Sequence, residues 1–165
     1  MKAEIISWSS EKGGAARASY RLFNALKNYQ NKNVSVTMRV NHCDFGEESI
    51  IKPNTNIENG WNLLRRYAGL KLQSLQKTSN PSFHSSGLIP SLLDKTINNS
   101  ASEIINFHWF QGEMISIKAI SRIKKPMIFT LHDCWAFSGT EHYPNGINDK
   151  RYIEGYKKIN KPINN

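Results

Sequence analysis

The strongest constraint on this chain is an alternation of short apolar runs with stretches of helical spacing. Ile5-Ile6-Ser7-Trp8 is the first run, 34–40 the second, Ile104-Ile105-Asn106-Phe107-His108-Trp109 the third, and 127–132 the fourth. Between them, Ala15, Ala18, Leu22, Ala25, Leu26 and Tyr29 predict a helix over 15–29. Trp61, Leu64, Ala68, Leu72 and Leu75 predict a second over 61–77, closed off by Asn80-Pro81. Ile115, Ala119, Ile120 and Ile123 predict another over 114–123. A short helix is expected over 90–98, and 41–59 reads as irregular. Near-continuous apolar strands alternating with helices imply a parallel sheet covered on both faces. The expected fold is therefore α/β and Rossmann-like, with a mainly parallel sheet and strands near 3–8, 34–40, 103–108 and 127–132. The length of 165 residues fits one domain over 1–165.

Several function classes drop out. No window reaches the roughly 18 apolar residues of a membrane-crossing helix, and the apolar run after Met1 is too short for a secretory leader. Cys43 and Cys134 are the only cysteines and lie far apart, so a reducing, cytoplasmic setting is expected. The net charge is +9 and uneven: 12 basic against 6 acidic residues over 1–80, 5 against 6 over 81–149, and 5 against 1 over 150–165. Such an excess suits a phosphorylated small molecule, an anionic lipid surface or a solvated face. No zinc finger, RNP motif or heptad-linked basic region points to nucleic acid.

In a doubly wound sheet, sites form beyond the carboxyl ends of the strands. Gly13-Gly14 falls there, between the first strand and a helix amino terminus, where a phosphate can approach backbone N–H groups. It is neither a Walker sequence nor a full dinucleotide fingerprint, and a tight turn without a ligand explains it equally. His108, His132, Asp133 and His142 form a second group, open to three readings: a metal site, catalytic or substrate contact, and hydrogen-bonded structural histidines. No metal-ligand spacing of the HExxH kind is present. Trp109, Trp135, Phe137 and Tyr143 suit either a carbohydrate-stacking wall or an ordinary core. The basic 61–77 stretch, with Trp61, Arg65, Arg66, Lys71 and Lys77, suits either a membrane surface or a helix packed on its own domain.

Three segments together resemble a known family. They are Gly13-Gly14-Ala15-Ala16-Arg17-Ala18-Ser19-Tyr20-Arg21-Leu22, then Ile105-Asn106-Phe107-His108-Trp109-Phe110, then the run from Thr130-Leu131-His132-Asp133-Cys134-Trp135 through Gly139-Thr140-Glu141-His142-Tyr143. In this order they resemble the amino-terminal half of family 4 retaining glycosyltransferases, of the kind that builds bacterial O-antigen, capsule or exopolysaccharide. The resemblance covers most of the chain and is weakest over 41–100. It implies one half of a GT-B fold, holding the acceptor, while a second Rossmann-like half holds the nucleotide-sugar. It also implies sugar transfer with retention, no metal in the chemistry, and no cofactor, the nucleotide-sugar being the donor substrate. By position it makes Gly13 and Gly14, with Arg17, the loop near the donor diphosphate and acceptor. His132 becomes the cleft histidine near the transferred sugar, supported by Asp133 and Trp135, with His108, Trp109, His142 and Tyr143 around it. The acceptor is expected to be a glycan or a polyprenyl-linked sugar. The protein is then cytoplasmic and peripheral on the inner face of the cell membrane through Trp61, Arg65, Arg66 and Lys71. The chain departs from the family at Glu141, where many relatives have cysteine, and the donor half is not in it. The expectation is a chain inactive alone, the alternative a non-catalytic module for a phosphorylated lipid or glycan.

Overall fold

A computed structural model describes residues 1–29, 33–44 and 46–160. Its centre is a five-stranded, all-parallel sheet in the order β3-β2-β1-β4-β5. The strands are β1 (Lys2–Ser9), β2 (Ser35–His42), β3 (Ile50–Ile51), β4 (Ile104–Phe107) and β5 (Met127–Phe129). The helices are α1 (Gly14–Lys27), α2 (Asn56–Ser74), α3 (Leu93–Asn99), α4 (Ile117–Ile120) and α5 (Arg151–Glu154), followed by one 3₁₀ turn (Lys158–Asn160). The α/β, Rossmann-like expectation holds, with all four expected strands in place.

Alternation along β1 sorts the core into two layers. Ala3 and Ile5 face α1 and pack with Phe23, Val36, Met38, Val40 and Ile50. Ile6 faces the other way, into a cluster with Ile97, Ile105, Phe107, Phe110, Ile115 and Ala119. Glu4 also lies on that second side, 1% exposed, where Arg39 Nε reaches it at 2.6 Å and Ser100 and Ser102 donate to it. A buried carboxylate is tolerated there because its acceptor sites are filled.

The structure differs from the sequence reading in four places. β3 lies inside the stretch read as irregular; at two residues it is too short to show a period. α2 begins at Asn56, earlier than expected, because Thr55 caps it by accepting from Glu58 N–H at 3.1 Å. The expected 114–123 helix is a single turn, α4, capped by Ser116. Positive φ angles at Gly112 and Glu113 keep the chain out of a helix just before it. β5 is an edge strand with Ile128 and Phe129 exposed, so its apolar run is only partly covered.

Helix α2 is fastened by polar groups. Arg65, 3% exposed, donates to the Met114 and Ile89 carbonyls at 3.0 and 3.3 Å. Burial pulls its guanidinium below the ordinary value, and Glu113 opposes this. One turn on, Gly69 lies so close to Glu113 that an added Cβ would stand 2.4 Å from Glu113 Cγ.

Candidate functional site

The strand order reverses at β1, with β2 on one side and β4 on the other, which opens a crevice at their carboxyl ends. Pairing runs past the strands: His108 N–H donates to the Ile6 carbonyl at 2.8 Å and Trp8 N–H to the Trp109 carbonyl at 2.9 Å. Trp8 and Trp109 therefore stand side by side, centroids 6.5 Å apart and nearly perpendicular. The crevice is an open cleft of about 460 Å³ lined by Ser7, Trp8 and Ser9, the 12–16 turn, Trp109, His132, Asp133 and Tyr143.

One wall is the β1–α1 turn. Ser9 Oγ accepts from the N–H groups of Glu11 and Lys12 at 3.1 Å each and shapes the loop. Gly13 then takes φ of 101°, a conformation that other residues resist. No side chain caps α1 and its first turn carries no acid, so its amino-terminal amides open on the cleft. Such a terminus favours an anion through both its free N–H groups and its dipole. The backbone demand is at Gly13; Gly14 starts the helix, and an added Cβ there meets nothing within 4 Å.

The opposite wall is built on Asp133. Its Oδ1 accepts from Trp135 N–H at 3.0 Å; its Oδ2 accepts from Trp109 Nε1 at 2.8 Å and pairs with His142 Nδ1 at 2.5 Å. Burial alone raises a carboxyl, but the bonds from His142, Trp135 and Trp109 outweigh it and hold Asp133 below the ordinary value. His142 is braced in turn by Ser85 Oγ at 2.9 Å and by Phe83, ring centroids 4.9 Å apart. Ser85, His142 and Asp133 have the connectivity of a nucleophile relay. Ser85 is 4% exposed, however, and its carbonyl accepts Trp135 Nε1 at 2.8 Å, so the relay serves to fix Trp109 and the 133–142 loop.

His132 reaches the cleft half-buried, its Nε2 3.0 Å from Nδ1 of His108. His108 is buried behind it. Burial, then the neighbouring His132, lowers its value to about 4, so at neutral pH it is an uncharged support. It orients the His132 ring and leaves the Nδ1 side of that ring to the cleft's chemistry.

Of the residues singled out in the sequence, Gly13, Gly14, Trp109, His132, Asp133 and Tyr143 line the cleft. His108, Trp135 and His142 stand behind it as braces, and exposed Arg17 lies outside its lining. Arg65 is buried, which corrects its assignment to a membrane surface. Arg66 sits with its guanidinium 5.3 Å from the Trp8 ring centroid, on the cleft side of α2. Among the described residues no group of three or more His, Cys, Asp or Glu is placed to hold a metal. Trp8, Ser85 and Lys12 were missed: Trp8 reads as part of an apolar strand, and Ser85 lies outside every motif. No family model, curated protein or solved structure matches this chain. No helix among the described residues is long and apolar enough to cross a membrane.

Proposed function

We propose that this chain is the acceptor-side domain of a retaining glycosyltransferase that moves a sugar from a nucleotide-sugar to a glycan or lipid-linked acceptor, as in bacterial surface polysaccharide synthesis. The observation that carries the reading is the uncapped α1 terminus and Gly13 facing His132 and the Asp133-held Trp109 across one cleft. Chemistry in such a cleft needs three things: a stabiliser for the leaving diphosphate, a polar group at the transferred sugar, and a platform for the acceptor. The α1 terminus with Lys12 suits the first through fixed positive potential. His132 suits the second, with donor or acceptor character selected by His108. Trp109 and the exposed ring of Tyr143 suit the third, since aromatic faces pack against the C–H faces of sugars while their polar edges bond hydroxyls. One wall alone does not hold donor and acceptor together, so the reading includes a second nucleotide-binding domain facing this one.

The test is a transfer assay over a panel of nucleotide-sugars, with the chain alone and with a donor domain joined after Asn165. The expected result is no turnover alone and turnover when joined. In the joined enzyme, Gly14→Val is expected to lower turnover at least about tenfold with the melting temperature nearly unchanged, because the added side chain enters the anion's place rather than the core. Robust turnover by the chain alone, or full activity of Gly14→Val, overturns the assignment.

A second reading is favoured by α2: a module that rests on an anionic membrane and binds a phosphorylated lipid or glycan without catalysis. Ile57, Trp61, Leu63, Leu64, Tyr67 and Leu70 are all exposed along that helix beside Lys71. The two readings share the peripheral placement on the inner leaflet and part on turnover in the joined enzyme.

A further inference from the structure

The cleft does not end at Trp8. Behind that ring lies a smaller concavity of about 170 Å³, lined by Trp8, Asn41, His42, Asn59, Asn62, Leu63, Arg66 and Gly112. Asn41 and Asn62 in turn line a third, of about 270 Å³, which Lys52 and Arg65 also border. Trp8 lines both the first concavity and the second, and Asn41 with Asn62 both the second and the third, so the three adjoin in a row, called the groove, across the β1 and β2 ends. Asn59, Asn62 and Arg66 reach it because spacings of three, four and seven put them on one face of α2.

The groove has a consistent chemistry. Its middle stretch is lined by three carboxamides, one guanidinium and no carboxylate. Arg66 is held over Trp8 at 5.3 Å, and among the described residues no acid pairs with it and its N–H donors are free for a ligand while its direction is set. Asp44 stands 3.0 Å from His42 Nε2, which leaves Arg66 as the cation of this stretch. Farther along, Arg39 is neutralised by Glu4 and the Glu58 carboxylate accepts from Asn54 N–H at 3.1 Å. The Nε of buried Arg65 has no hydrogen-bond partner among the described residues. Arg66, which has no acid partner among the described residues, set among amides that both donate and accept, suits a polyhydroxylated chain carrying an oxyanion.

We propose that this groove binds an oxyanion carried by the acceptor, a sugar phosphate or a uronic carboxylate, and that Arg66 is the residue that selects it. The proposal rests on the reading of the cleft as the transfer site and adds the class of acceptor: an anionic glycan extending past the reacting sugar, not a neutral monosaccharide.

The test uses the chain itself. Its four tryptophans give separate indole N–H signals, assigned by single Trp→Phe variants. Inorganic phosphate, methyl glucuronide and neutral methyl glucoside are each titrated at ionic strength matched with sodium chloride. The expected result is a saturable shift of the Trp8 signal with phosphate or glucuronide, none with glucoside, and at least about tenfold weaker binding in Arg66→Gln with partial rescue in Arg66→Lys. The phosphate and glucuronide arms tell which oxyanion is preferred. A Trp8 signal that moves no more than in chloride, or equal binding by Arg66→Gln, overturns the proposal. Arg66 is exposed, so its replacement leaves the fold intact. In the joined enzyme, transfer to neutral acceptors with no dependence on Arg66 overturns the groove and leaves the transfer reading standing. Absence of all transfer alongside an Arg66-dependent Trp8 shift does the reverse.

Discussion

The two halves of this domain share apolar packing and differ in how much buried polar pairing is added to it. Around α1, the layer formed by Ala3, Ile5, Phe23, Val36, Met38, Val40 and Ile50 is apolar packing, with the Lys27 ammonium over the Phe23 ring at 5.9 Å. From α2 onward, an apolar cluster of Ile97, Ile105, Phe107, Phe110, Ile115 and Ala119 persists, but buried polar ties are added to it. Arg65 binds two carbonyls, Glu113 gathers Ser86, Gly87 and Ile89, and Asp133 gathers Trp109, Trp135 and His142. Arg151 makes a two-pronged bond to Glu141 at 2.8 and 2.6 Å. Apolar packing tolerates small shifts and is roughly proportional to area, whereas a polar tie is worth little when made and costly when half broken. The second half also carries the Asp133 wall of the cleft and the Arg66 side of the groove, where fixed direction matters more than bulk stability.

The comparison breaks most sharply at Phe23, which is 0% exposed on the inner face of α1. Phe23→Ala should cost about 3–5 kcal/mol, the usual range for a fully buried aromatic, and cost the same at pH 7 and pH 5. Chemical denaturation at both pH values checks this. A loss under about 1 kcal/mol would mean that the first half is held by something other than packing.

The second half should answer to pH. His108 has its folded value lowered to about 4, beneath an unfolded value of about 6.5, so the unfolded chain takes up the proton first. Its contribution is complete above about pH 6.5 and is lost as pH falls from there toward 4, a change on the order of 3 kcal/mol. Asp133, also lowered, adds a loss only at more acid pH, below its ordinary carboxylate value. Denaturation midpoints between pH 7 and pH 4.5 should fall in the native chain and stay flatter in His108→Gln. Parallel pH curves for the two proteins would remove His108 as the sensitive group.

Gly69→Ala should cost about 2 kcal/mol. Its new Cβ pushes Glu113 Cγ aside, and the Glu113 carboxylate cannot follow without loosening bonds to Ser86, Gly87 and Ile89. On an exposed helix the same change stabilises, by up to about 1 kcal/mol, so the sign of the measured effect decides whether the α2 clasp exists.

How much of this was legible in the sequence follows the same divide. Apolar residues declare their faces by period, so β1, β2, β4, α1 and the sheet order's parallel character could be read directly. Gly13-Gly14 and His132-Asp133 were legible as strand-end features because a doubly wound sheet puts sites there. Arg65 and Arg66, adjacent and alike in sequence, end in opposite environments, one buried on carbonyls and one over Trp8. Nothing local separates them, since a polar group's partner is chosen by what the fold brings near it. The same holds for Ser85, which meets His142 across 57 positions. The helix over 61–77 was legible, but its outward side was not, because an apolar stripe does not say what covers it.

That outward side gives the smallest effect and the finest test of the divide. Lys71 is exposed on α2 with Trp61 and Leu64, which are 49% and 55% exposed, and Lys77 is exposed just past the helix end. Arg65 is spent on the Met114 and Ile89 carbonyls and Arg66 on Trp8, so only two of the four cations read from the sequence face outward. At about 1 kcal/mol each near an anionic surface, two lysines give weak, salt-sensitive attachment, with Trp61 and Leu64 adding a modest apolar share. Sedimentation with anionic vesicles at low and high salt should show binding that Lys71→Gln with Trp61→Ser abolishes. Arg66→Gln should leave it within about twofold, since Arg66 serves the groove and not the outer surface. Strong loss in Arg66→Gln would place Arg66 on the membrane side and separate it from Trp8. Equal binding to neutral and anionic vesicles would mean that the lysines are spectators and the exposed apolar residues act alone.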